Sequence, residues 1–212
     1  LSEEELGYCL EDSGAVVVIR DGDPLPEGPE HPGALDRDER KTSLLLYTSG
    51  TTGRPKGVPR SHAADRAGGW SQALQHGYSW GDRTLGVMPL YHTMGIHSLL
   101  AMHLVGGSFV PQARWDAGVA LRLIAEQRIT SLYLAPTLFH DLVHHPDLGG
   151  ADVSSVRALG YAGAAMTSSL VRLCAEAFRP EVFVNHYGST EIYTFTIGRD
   201  QLAKPGCAGR PA

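Results

Sequence analysis

The chain is expected to fold as an α/β protein, with layered, mostly parallel sheets flanked by helices. Three observations predict this. Short apolar runs such as Thr84–Met88, Thr130–Leu134 and Val182–Val184 have the length and composition of buried strands. Amphipathic stretches over 116–127 and 167–178 lie between such runs, and strand–helix alternation is the signature of a parallel sheet. The 212 residues are 42% hydrophobic and 19% charged, as in an ordinary globular protein of one large or two small domains.

Taken in order, residues 2 to 12 predict a helix with Ser2 as N-cap and glutamates in its first turn, where they suit the macrodipole. Leu6 and Leu10 share one face, and Ser13-Gly14 ends the helix. Ala15–Ile19 reads as a strand, and the prolines, glycines and charges over 21–40 read as an exposed loop. Ser43–Leu46 reads as a buried strand leading into a loop. Residues 61–77 suggest a helix interrupted by Gly68-Gly69. Thr84–Met88 is a strand ended by Pro89, Leu99–Leu104 a helix, and Ser108–Val110 a strand. Val119, Leu123 and Ile124 line one side of the helix over 116–127. Thr130–Leu134 is a strand, and Pro136 opens a helix over 137–145. Val156–Leu159, a helix over 167–178 and Val182–Val184 complete the alternation.

Several classes of function are disfavoured. A net charge of −5 argues against a nucleic-acid partner, which calls for a basic face. No apolar run reaches the roughly 18 residues of a membrane span, and the acidic Ser2-Glu3-Glu4-Glu5 is not a signal peptide. Cys9, Cys174 and Cys207 are scattered and odd in number, which favours free thiols in a reducing, cytoplasmic setting over disulfides or zinc.

The chemistry is concentrated in Tyr47-Thr48-Ser49-Gly50-Thr51-Thr52-Gly53-Arg54-Pro55-Lys56-Gly57-Val58. Glycines let a backbone approach a ligand, and inward-turned N–H groups with hydroxyls form an anion site. Lys56 adds a mobile positive charge, so the stretch suits the oxygens of a polyphosphate. An ordinary surface loop has a similar composition. The glycine spacing, and the glycine rather than hydroxyl after Lys56, depart from the phosphate loop of kinases and GTPases. Three further stretches follow predicted strands: Met88-Pro89-Leu90-Tyr91-His92-Thr93-Met94-Gly95, Tyr161-Ala162-Gly163-Ala164-Ala165-Met166 and Asn185-His186-Tyr187-Gly188-Ser189-Thr190-Glu191. Ligands of parallel sheets gather beyond the carboxyl ends of the strands, so these loops are expected to converge. His140 and His144 have metal-capable i, i+4 spacing, but a solvated helix end explains them better.

Residues 47–57 match [YF]-T-S-G-[ST]-T-G-x-P-K-G, and 185–191 resemble [QN]-x-Y-G-x-T-E. On these motifs the sequence resembles the adenylate-forming superfamily, and within it the acyl- and aryl-CoA synthetases such as 4-chlorobenzoate-type ligases. The resemblance implies the fold of that superfamily's large domain and an acid–thiol ligase activity. A carboxylate attacks the α-phosphorus of Mg·ATP, and coenzyme A then displaces AMP from the acyl-adenylate. An adenylation domain that loads a carrier protein, or an inactive nucleotide-binding fragment, is the alternative.

The same resemblance implies roles by position. Thr48, Ser49, Gly50, Thr51, Thr52, Gly53 and Lys56 would hold the β- and γ-phosphates of ATP. Gly163, Ala164 and Ala165 would wall the adenine, with Asn185, His186, Tyr187 and Gly188 completing the nucleotide site. Tyr187 would stack on the base, Thr190 would donate to the α-phosphate, and Glu191 would hold Mg²⁺. Met88, His92, Thr93, Met94, Ala162, Gly163, His186 and Gly188 would form the carboxylic-acid pocket, with His92 shaping it. Histidine at position 186, where the family carries an apolar or small residue, suggests a more polar acid. The resemblance also implies that the family's early strands and small mobile C-terminal domain lie outside these residues. The 212 residues alone are therefore expected not to complete the reaction.

Overall fold

The structure, a computed structural model, describes residues 2–24, 28, 38–49, 54–199 and 201–212. The chain divides into two compact units, Leu1–Ala63 and Ala64–Ala212.

Among the described residues, the first unit holds one helix and one hairpin. Helix α1 (Glu3–Ser13) starts in a capping box: Ser2 Oγ accepts from the Glu5 N–H, and the Glu5 carboxylate accepts from the Ser2 N–H. Gly14, at φ +64°, closes it in the left-handed conformation that glycine adopts without a Cβ penalty. Strands β1 (Thr42–Thr48) and β2 (Lys56–Ser61) pair antiparallel, with Thr48 opposite Lys56. Of the run Ser43–Leu46 only Leu46 is fully buried. The sequence reading missed β2, because Gly57 and Pro59 both count against a strand. Lys56 therefore stands on a strand, at the foot of the loop rather than within it.

The expected strand at Ala15–Ile19 is absent. Val16, Val17, Val18 and Ile19 lie exposed and pair with no strand among the described residues. β-Branched residues favour extended backbone, but a strand exists only where a neighbour satisfies its N–H and C=O groups.

The second unit is a seven-stranded sheet in the order β4-β3-β5-β6-β7-β8-β9. Its parallel part comprises β3 (Arg83–Gly86), β4 (Ser108–Pro111), β5 (Ser131–Leu134), β6 (Ala158–Tyr161) and β7 (Val182–Tyr187). Two antiparallel strands unrecognised in the sequence, β8 (Thr196–Gly198) and β9 (Arg210–Pro211), extend one edge. After β4 the chain returns to the other side of β3 to lay down β5. In open α/β sheets such a reversal of strand order is where ligands gather.

Helices cover both faces, and strand alternation decides which side chains meet them. Leu132, Leu134, Leu159, Tyr161 and Phe183 pack with Ile124, Phe139 and Val171. These come from α4 (Ala117–Gln127), α5 (Pro136–Val143) and α6 (Ser168–Phe178). The other face turns Tyr133, Gly160 and His186 toward α2 (His62–His76) and α3 (Thr93–Leu104). Gly68-Gly69 do not interrupt α2. A Cβ at Gly68 would collide with the His97 ring, so the missing side chain lets α3 pack close.

Helix α3 begins six residues before the expected Leu99, because His92 Nδ1 accepts from the Met94 N–H at 3.3 Å and caps it. Thr93 and Met94 thus stand on a helix instead of a loop. His140 and His144 stack at 4.2 Å at the exposed end of α5, and His144 Nδ1 lies 2.8 Å from the His140 carbonyl.

Candidate functional site

In the first unit, the hydroxyl of Tyr47 donates to Asp12 Oδ2 at 2.7 Å, which ties the base of the glycine-rich loop to α1. Burial, and then that carboxylate, push the Tyr47 pKa up to about 12. Arg54 lies 5.7 Å over the Tyr8 ring. Thr48 is half-buried, whereas Ser49 and Lys56 are exposed. Gly50, Thr51, Thr52 and Gly53 lie outside the described residues.

In the second unit, the three motif loops converge. A cavity of about 150 Å³ is lined by His92, Thr93, Met94, Ala162, Gly163, His186, Gly188 and Thr190. These residues follow β3, β6 and β7 or end β7, so the cavity lies at the carboxyl end of the parallel sheet, where such folds bind ligands. Gly188 belongs to a tight turn: a Cβ there would strike the Tyr193 carbonyl oxygen. Ser189 donates its N–H to the Ile192 carbonyl at 2.9 Å, and Phe195 donates its N–H to the Tyr187 carbonyl at 2.7 Å. This turn carries Thr190 to the cavity.

Other candidates stand apart from that cavity. Met88 packs on the Met94, Tyr133, Ala162 and Tyr193 cluster without lining it. Ala164, Ala165 and Glu191 are exposed, Glu191 directly after the cavity-lining Thr190. Tyr187 is 60% exposed, and its ring lies 5.9 Å from that of Phe195. Asn185 is buried, and its amide donates to the Cys207 carbonyl at 3.2 Å.

The sequence reading missed Tyr133, Ser189 and Tyr193, which complete the lining. Alternation was the available signal for Tyr133: in Ser131-Leu132-Tyr133-Leu134 the two leucines face one core, which sends the tyrosine to the other side. Burial raises the pKa of both Tyr133 and Tyr193, so both are neutral phenols at ordinary pH. Tyr193 donates to Gln72 Oε1 at 2.7 Å, and its ring lies 3.9 Å from that of His97. His97 Nε2 is 3.7 Å from Asp65 Oδ1. The cavity therefore has aromatic inner walls and a hydroxyl-bearing rim.

A larger open cleft of about 570 Å³ lies against β8 and β9, near Gln75, Arg199, Lys204 and Arg210. None of the stretches at 47–58, 88–95, 161–166 and 185–191 lines it.

Residues 26–212 match the family described as AMP-binding enzyme. The chain belongs to that family. It is 34% identical, over 84% of its length, to a 4-chlorobenzoate--CoA ligase from a Pseudomonas species, of which it covers 33%. It is 32% identical, over 92% of its length, to an indoleacetate--CoA ligase from Aromatoleum aromaticum, covering 38% of that protein. The inhibitor-bound N-terminal domain of FACL13 from Mycobacterium tuberculosis superposes with a TM-score of 0.77 at 26% identity. That match covers 84% of this chain and 45% of the other. An o-succinylbenzoate CoA synthetase from Bacillus subtilis gives a TM-score of 0.73 at 27% identity, covering 82% of this chain and 36% of that one. The chain thus spans between 33% and 45% of the length of these four proteins.

Proposed function

We propose that the intact protein is an AMP-forming acid–thiol ligase that activates an aryl carboxylic acid with ATP and passes it to coenzyme A. The observation that carries this reading is the meeting of His92, Thr93 and Met94 with Ala162, Gly163, His186, Gly188 and Thr190 around one small cavity. At about 150 Å³ it has the size that houses a benzene ring. The CoA ligases among its relatives support the same chemistry.

In this reading the aromatic walls hold the ring and the rim holds the carboxylate. The carboxylate oxygen attacks the α-phosphorus, a new O–P bond forms, and the bond to pyrophosphate breaks. Two anions approach each other, so the transition state needs preorganised donors. Thr190, which lines the cavity, is assigned the donation to an α-phosphate oxygen. The exposed Tyr187 is assigned to the adenine, and Ser49 and Lys56 to the phosphate tail. The thiol of coenzyme A then attacks the activated carbonyl, and AMP leaves.

Mg²⁺ prefers one or two carboxylates together with phosphate oxygens, and the exposed Glu191 beside Thr190 is a carboxylate of that kind. The ion would supply charge neutralisation between the phosphates. Three free cysteines, Cys9, Cys174 and Cys207, support a cytoplasmic setting.

The test is product analysis by mass spectrometry. The intact protein, given ATP, magnesium, coenzyme A and a panel of benzoates and fatty acids, should yield aryl-CoA and AMP. Long-chain acyl-CoA as the sole product would contradict the aryl assignment, and ADP in place of AMP would contradict adenylate chemistry.

A further inference from the structure

Behind His186 runs a line of side-chain hydrogen bonds. Ser131 Oγ donates to the Tyr78 hydroxyl at 2.9 Å, and that hydroxyl is 3.2 Å from His76 Nδ1. His76 Nε2 faces His186 Nε2 at 3.0 Å, and His186 Nδ1 lies 3.1 Å from Thr194 Oγ1. Both histidines are buried, at 0% and 3% exposure. His186 lines the cavity and His76 does not.

The donors can be followed along this line. A tyrosine hydroxyl has one hydrogen. The hydrogens can run along this line in either sense, and the two facing Nε2 atoms tie the tautomers of the two rings to each other. In the sense that starts from Ser131 as donor, Tyr78 donates to His76 Nδ1, His76 carries its proton on Nε2, and His186 carries its own on Nδ1 toward Thr194. In that sense each ring is neutral and spends both nitrogens on protein partners, and it is the sense the proposal takes.

The surroundings favour this state. Tyr133 meets His76 edge-on at 5.2 Å and lies 5.2 Å from His186, while Tyr193 is 5.9 Å from His186. The charged groups nearby act at one remove: Asp65 beside His97, and Asp82 toward Tyr78. Burial, and then the neighbouring histidine, hold His76 well below its ordinary pKa. Burial, and then His97, push His186 down to about 3. Gly160 of β6 makes the room, since a Cβ there would collide with the His76 ring.

We propose that His76 is a positioning residue that fixes the tautomer and orientation of His186, so that the inner wall of the cavity is an uncharged, fully satisfied aromatic surface. Such a wall takes a plain aryl ring and rejects ring substituents that need a polar partner. The proposal rests on reading the cavity as the acid pocket. It reverses what the sequence suggests, because a histidine with both nitrogens engaged offers nothing to a polar acid.

The experiment uses the intact protein labelled with ¹⁵N-histidine, benzoate and 4-hydroxybenzoate as substrates, and the variants His76→Phe and His76→Gln. Wild-type His186 should show the Nδ1–H tautomer and no titration at pH values between about 5 and 8, where an unperturbed histidine titrates. In His76→Phe it should titrate in that range. The KM ratio between the two acids should then shift about tenfold toward 4-hydroxybenzoate, as expected when a buried polar group is left unpaired. His76→Gln keeps an N–H donor and should restore the wild-type ratio, and it reports on the same relay if the Phe variant does not fold. The Nε2–H tautomer in wild-type His186 would overturn the proposal, as would an unchanged KM ratio in His76→Phe. If neither benzoate supports adenylate formation in wild type, the acid-pocket reading fails, while the His186 tautomer still decides the relay.

Discussion

The hydroxyl of Tyr193 donates to Oε1 of Gln72 at 2.7 Å, tying the turn after β7 to α2 inside the second unit. Gln72 has no exposed surface, and its Nε2 lies 3.4 Å from Ser98 Oγ. Replacing Tyr193 with Phe removes the donor and leaves a buried carbonyl short of a partner. Loss of one side of a buried hydrogen bond costs about 1–3 kcal/mol. Urea unfolding of Tyr193→Phe in the intact protein should show a loss of that size, and an unchanged midpoint would show that the bond does not hold the turn.

Histidine burial gives stability a pH dependence of known sign. Folded His186 has a pKa near 3 and folded His76 lies well below its ordinary value, whereas unfolded histidines titrate at about 6.5. Between these limits the unfolded chain binds protons that the folded chain refuses. Stability therefore falls as pH drops below about 6.5, by up to about 1.4 kcal/mol per pH unit for each histidine, and levels off above that value. Unfolding free energies measured between pH 8 and 5 check this. Stability that rises on acidification through that range would contradict it.

Gly188→Ala should damage both stability and activity. The added methyl meets a backbone carbonyl, that of Tyr193, and backbone cannot step aside as a flexible side chain can. Overpacking of this kind costs about 1–3 kcal/mol. Because the same turn carries Thr190, adenylate formation should fall even in protein that remains folded at low temperature. Full activity with a wild-type melting point would mean that the turn relaxes freely.

Glu191→Gln keeps the shape of the side chain and removes its charge. If Glu191 holds Mg²⁺, adenylation should drop at least about tenfold, equivalent to about 1.4 kcal/mol of barrier, with part of the loss recovered at high magnesium. A magnesium titration that overlays wild type would remove Glu191 from the metal site.

Much of this architecture is legible in the residues. The parallel strands and the helices on both faces follow from apolar runs and helical spacing, which burial enforces directly. The cavity-forming stretches announce themselves by residue types with little value to a core: His92, Gly163, Gly188 and Thr190. What was not legible depends on partners distant in sequence. Ala15–Ile19 has the propensity of a strand but no neighbour among the described residues. β2 contains Gly57 and Pro59, and forms because β1 supplies the ladder. Gly68 looks like a break in α2 until the His97 ring is seen filling its space. Tyr133 and Tyr193 lie outside every motif, and only the sheet brings them to the cavity.

Acid-dependent exchange of radiolabelled pyrophosphate into ATP tests the central claim most directly, because it reports the adenylation step without the thiol. The intact protein with magnesium and a benzoate should catalyse exchange, and omission of the acid should abolish it. Absence of exchange with every aryl acid offered, from protein that is folded and binds ATP, would contradict the account.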